Sequence, residues 1–82
     1  MKRYMGKIRG KKLLITRYLI KRLFARKVKL DLIVKTIENP QFIINTHNGN
    51  KRLMSDFGGK RITVIVHETQ KNIEVITCLI NQ

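Results

Sequence analysis

Asn39-Pro40-Gln41-Phe42-Ile43-Ile44-Asn45-Thr46-His47-Asn48-Gly49-Asn50-Lys51-Arg52-Leu53-Met54 decides how the chain reads. Proline forces the residue before it away from helical angles, so a helix reaching Asn39 ends there. Beyond Pro40 the apolar spacing shortens to two, the period of a strand. Residues 42–47 read as a strand and residues 47–50 as a tight hairpin turn, because Asn and Gly tolerate positive φ. Residues 51–57 read as the return strand, and Gly58-Gly59 turns the chain again. Residues 61–68 make a third strand, with Ile62, Val64 and Val66 on one face. Residues 69–71 are a loop, and residues 72–80 a fourth strand. There Ile73, Val75, Thr77 and Leu79 share one face, and Glu74, Ile76, Cys78 and Ile80 the other. Residues 62–66 and 75–80 are apolar enough to be buried on both faces, which marks central strands.

Upstream of Asn39 the period is helical. Leu30, Ile33, Val34 and Ile37 recur at helical spacing and predict a short helix. Leu19, Ile20, Leu23 and Phe24 predict another across residues 17–27, one apolar stripe wide, with Thr16 as its N-cap. Residues 1–12 are basic, carry Gly6 and Gly10 and show no apolar period. They read as a flexible arm, with a short strand at residues 13–15 after it. The expected fold class is α+β, with two N-terminal helices packed on a four-stranded antiparallel β-meander. The expected organisation is an arm over residues 1–12 and a single domain over residues 13–82. A chain of 82 residues has one core, since folding at this size buries roughly 60% of the unfolded surface.

Charge narrows the function. Eighteen Lys and Arg face five Asp and Glu, a net +13. Twelve of the cations, and no acid, lie in the first 30 residues. So lopsided a field suits a polyanionic partner. A secretory signal is not expected, because Leu13-Leu14-Ile15 runs straight into Thr16-Arg17. No apolar run approaches the 18 residues of a membrane span. The lone Cys78 rules out an internal disulfide and reads as a small buried side chain. The expected location is cytoplasmic, with no membrane partner.

The basic residues fall into groups. Tyr18, Arg22 and Arg26 recur at four on the helix side away from the apolar stripe, beside Arg17 and Lys21. Guanidinium groups so spaced could clamp successive phosphates while the phenol ring stacks on a base. Lys51 and Arg52, then Lys60 and Arg61, flank the two hairpin turns and offer a second basic rim. Histidine ordinarily titrates near neutral pH, which makes His47 and His67 candidate bases for attack by a ribose 2′-hydroxyl, with Arg or Lys holding the phosphorane. No local spacing of His, Cys, Asp or Glu suggests a metal ligand set, and no Gly-rich phosphate loop precedes a helix. No cofactor is expected.

Thr16-Arg17-Tyr18-Leu19, Arg22, Arg26 and Val28 resemble the opening of the uncharacterised domain family numbered 4258, which typically runs Thr-x-His-Ala-x-x-Arg-x-x-x-Arg-Gly-Ile. Ile37-Glu38-Asn39-Pro40 is similar to its helix-ending signature. Lys51-Arg52, Gly59, residues 62–66 and Val75-Ile76-Thr77 are similar to its closing hairpins. Tyr18 stands where that pattern has His, Leu19 where it has Ala and Lys27 where it has Gly. The order of elements also resembles RelE-type and colicin-like (barnase-like) ribonuclease toxins, which implies RNA binding and cleavage. The leading expectation is therefore an RNA-binding protein acting as a metal-independent endoribonuclease of toxin type, with Tyr18, Arg22 and His67 catalytic. Arg17, Lys21, Arg22, Arg26, Lys51, Arg52, Lys60 and Arg61 would bind the nucleic acid. The alternative is a non-catalytic nucleic-acid-binding or protein-interaction module. Expected partners are RNA, an acidic antitoxin-type protein and a second copy in a homodimer.

Overall fold

The computed structural model describes residues 2–46 and 48–81, and the side chains from Met5 onward within them. The candidate base His47 lies outside the described residues. The order of elements is β1 (Lys2–Ile8), β2 (Lys11–Thr16), α1 (Arg17–Ala25), α2 (Leu30–Glu38), β3 (Phe42–Asn45), β4 (Lys51–Phe57), β5 (Lys60–Glu68) and β6 (Asn72–Asn81).

Both helices form where the periodicity places them. Thr16 caps α1, its hydroxyl accepting from the Leu19 amide at 3.2 Å. At the other end the Lys27 amide donates to the Phe24 carbonyl and the Val28 amide to the Leu23 carbonyl. That paired closure puts Lys27 at φ 59°, a conformation that suits glycine because it has no Cβ to crowd the backbone. Lys27→Gly should raise stability by about 1 kcal/mol, read as a higher urea midpoint at unchanged slope. α2 ends at Asn39, one residue before Pro40.

The sheet departs from the expected four-stranded antiparallel meander. It has six strands in the order β1-β2-β6-β5-β4-β3 and is mixed. The four strands after Pro40 do pair as an antiparallel series. The addition comes from the stretch expected to be a flexible arm together with the short strand expected at residues 13–15. β1 pairs antiparallel with β2, and β2 lies parallel to β6, Leu13 opposite Ile73 and Ile15 opposite Val75. Two strands therefore precede the helices, an order that the toxin-like layout lacks. Arg9 at φ 53° and Gly10 at φ 77° form the two-residue turn whose twist matches the flanking strands. The charges of β1 and β2 are compatible with strand because β1 is an edge, where Lys and Arg are at home. Among the described residues, the apolar side chains that β1 and β2 bury are Ile8, Leu13 and Ile15.

Both helices cover one face of the sheet. Leu19 and Leu23 of α1 and Ile33 and Ile37 of α2 pack on Leu13, Ile15, Leu53, Ile62, Val64, Val66, Ile73, Val75 and Cys78. Two side chains differ from expectation. Phe24 is 84% exposed, since it sits about 100° round the helix from Leu23 and the sheet receives only the Leu19–Leu23 line. In β6 the alternation slips: Ile65 faces Thr77 while Val66 faces Val75, leaving Ile76 as an extra residue. The core face of β6 is thus Ile73, Val75, Cys78 and Ile80, instead of an unbroken alternation. Burial pushes the Cys78 thiol up to about 12, so it stays protonated at neutral pH.

Candidate nucleic-acid interface

The Thr16 cap starts α1 directly at the end of β2, and burial of Leu19 and Leu23 fixes which way the helix faces. Arg17, Tyr18, Lys21, Arg22 and Arg26 are consequently all exposed. Tyr18 is 69% exposed, and the Arg22 guanidinium carbon lies 5.7 Å from its ring centroid. This is the i, i+4 neighbour relation of a helix, close enough for a cation–π contact. Among the described residues no carboxylate lies within ion-pair distance of Arg17, Lys21, Arg22 or Arg26. Asp31 meets Lys35 at 3.9 Å within α2.

The second basic group is divided by its contacts. Arg61 forms a two-point pair with Asp56 directly across the β4–β5 ladder, at 2.8 and 3.2 Å. The hydrogen bond and the charge of Arg61 hold the Asp56 carboxyl below its ordinary range, and Arg61 is raised in turn. Arg61 also lies over the Phe42 ring at 5.5 Å. Lys51 sits 3.6 Å from Glu68. Lys60 is half-buried opposite Phe57 at the Gly58-Gly59 turn. Arg52 is exposed on the sheet face that no helix covers.

His67 shares that open face, because it alternates with the buried Val66. Its Nδ1 lies 3.0 Å from Asn50 Oδ1. Tyr18 and Arg22 belong to the helix layer on the opposite side of the sheet. The three expected catalytic residues are therefore not brought together. Among the described residues, no group of three or more His, Cys, Asp or Glu is placed to hold a metal ion.

One cluster has no counterpart in the sequence reading. Glu68, 16% exposed in its side chain, receives Lys11 Nζ at 2.6 Å, with Arg9 and Lys51 each at 3.6 Å. The Lys11 hydrogen bond, with the three positive charges, keeps the Glu68 carboxyl below its ordinary value despite partial burial. Arg9 Nη1 also donates to the Ile37 carbonyl at 3.0 Å, a cation at the negative end of α2. Arg9, Lys51 and Glu68 border a shallow cleft of about 310 Å³ with Pro40, Ile43 and Leu53. Lys11 stands 57 residues from Glu68 in the chain, and Arg9 lies farther still, so no local spacing could announce them.

Among the described residues no helix is long and apolar enough to cross a membrane. No curated protein and no solved structure matches the chain. One family pattern does match, from Ile15 in β2 to Leu79 in β6, and so takes in both helices and the β3–β6 meander while leaving out β1. By that match over residues 15–79 the chain belongs to the family described as domain of unknown function (DUF4258).

Proposed function

We propose that this protein binds single-stranded RNA through the outward face of α1. The observation that carries the reading is the unpaired row Arg17, Lys21, Arg22 and Arg26 around an exposed Tyr18, among the described residues. A guanidinium presents a planar fork that matches two phosphate oxygens, and an exposed phenol offers a stacking platform to an unpaired base. Duplex RNA hides its base faces, whereas a single strand can splay a base onto Tyr18. The five carboxylates are too few to neutralise the eighteen cations, so phosphate is the natural counter-charge. Cleavage is a further step of the same reading. It would have to run on Tyr18 and Arg22 without His67, which lies on the other side of the sheet.

The test is binding of a fluorescent RNA of about 12 nucleotides across salt, beside incubation of end-labelled tRNA in EDTA. If about five phosphates are engaged, log affinity should fall with log salt at a slope near −3.5, roughly a hundredfold loss between ~50 and ~200 mM. Arg22→Ala and Tyr18→Ala should each weaken binding about tenfold with unchanged circular dichroism, while His67→Ala should leave it unaltered. A flat salt dependence would sink the proposal, as would full affinity in Arg22→Ala. Discrete cleavage in EDTA that Arg22→Ala abolishes would make the protein a metal-independent ribonuclease. Binding without cleavage would make it a binding module.

A further inference from the structure

Where α1 ends and α2 begins, the two helices enclose an apolar cleft of about 790 Å³. Ile20, Phe24, Ala25, Val28 and Leu30 form its walls, and Lys27, Lys29 and Asp31 stand at its mouth. Its origin is local. The closure of α1 folds Val28 back toward Leu23, and α2 starts only at Leu30, so the chain between them leaves Phe24 with nothing packed over its ring. A phenylalanine 84% exposed in a chain of 82 residues keeps apolar surface in water that folding did not remove. The cleft falls in the size range of about 300–1,000 Å³ typical of ligand sites.

Charge selects the occupant. A second copy would bring another net +13 against a mouth that already holds two lysines and one aspartate, so self-association is disfavoured. Nucleic acid offers phosphates but no aliphatic side chains to fill an apolar trough. A helix with apolar residues at i, i+3, i+4 and i+7 fills such a trough, and acidic residues flanking that stripe meet Lys27 and Lys29. We propose that this cleft docks an acidic amphipathic helix of a partner protein. The cleft lies away from Tyr18, Arg22 and Arg26, since Phe24 is about 160° round α1 from Arg22, while Arg17 and Lys21 stand between the two surfaces. The Tyr18–Arg22–Arg26 side of α1 is available to phosphate and the Phe24 side to protein, the two meeting along Arg17 and Lys21.

The probe is a labelled peptide of about 16 residues with Leu on one helical face and Glu elsewhere, set against a shuffled peptide of the same composition. At ~150 mM salt, where long-range attraction is screened, the amphipathic peptide should bind the full chain at least about tenfold more tightly than the shuffled one. Phe24→Ala should erase that preference while leaving the circular dichroism and the affinity for the RNA oligomer unchanged, because the ring contributes to neither. Phe24→Glu should abolish peptide binding altogether. Equal binding of the two peptides would overturn the proposal, since charge alone would then explain it. So would a preference that survives Phe24→Ala. Phe24-dependent binding to phosphatidylcholine–phosphatidylglycerol vesicles, with no peptide preference, would also overturn it and assign the cleft to a lipid surface. Loss of RNA binding in Arg22→Ala with the peptide preference intact would keep the two sites distinct.

Discussion

A chain beginning at Lys11 should unfold at a urea midpoint about 2 M below that of the full chain, a loss of about 4 kcal/mol. Ile8 is 6% exposed, and removing its side chain returns about 2 kcal/mol of apolar burial to water. The β1–β2 ladder disappears, and with it the hydrogen bond from Arg9 to the Ile37 carbonyl, together worth about 2 kcal/mol. β2 would become an edge held to the sheet only by its parallel pairing with β6. A small domain has about 5–15 kcal/mol in total, so the loss is a large fraction of its stability. Residues 1–10 would be an appendage after all if the shortened chain melted with the full one.

Glu68→Gln should cost about 2 kcal/mol at neutral pH, because one charged hydrogen bond is lost and the cations left behind are still partly hydrated. The substitution keeps the shape and removes the only negative charge among Arg9, Lys11 and Lys51, which are then left to repel one another. The pH dependence has a definite sign. The Glu68 carboxyl is lower in the folded protein than its ordinary 4.5, because Lys11 bonds its charged form and the other cations favour it. Its contribution is therefore fully present above the unfolded value and is lost as pH falls through the lower folded one. Wild type should weaken as pH drops below about 4.5, and Glu68→Gln should lack that part of the acid loss. Chemical melts at neutral pH and at about pH 3 measure both. An unchanged acid profile in the variant would mean that the three cations do not act on Glu68.

Lys27 shows why a departure from a family pattern can carry physics instead of chemistry. Position 27 is glycine in the opening that the chain resembles, and it is also the left-handed residue that closes α1. Lysine there strains the backbone and adds a cation at the mouth of the apolar cleft. Leu19, where the pattern has alanine, is a buried core residue. Tyr18, where it has histidine, faces solvent under Arg22, and this is the one departure that falls within the proposed RNA face.

Much of the candidate site was legible because it lies on one helix. Apolar spacing placed Leu19 and Leu23 inward, and that turned Arg17, Tyr18, Lys21, Arg22 and Arg26 outward. Local interactions over three or four residues make that relation, and they are written in neighbouring letters. Apart from the short strand at residues 13–15, the sheet was legible only after Pro40, where short turns join strands that pair in order. β1 was hidden because an edge strand with one wet face tolerates Lys and Arg at nearly every position, which erases the alternation, and of β2 only residues 13–15 were legible because Lys11 and Lys12 read as part of the basic arm. The slip in β6 at Ile76 was hidden for another reason: every residue from 73 to 80 suits a strand, and the pairing with β5 alone decides which one is left over.

What the sequence determined by itself was the local and the summed: two amphipathic helices, the break at Pro40, the turns at Asn48-Gly49 and Gly58-Gly59, and a charge of +13 concentrated in the first third. Tertiary structure alone decided the parallel union of β2 with β6, the four-residue cluster around Glu68, the separation of His67 from Arg22 and the uncovered Phe24. Each of these depends on contacts between residues far apart in the chain, and such contacts leave no periodic mark on either partner.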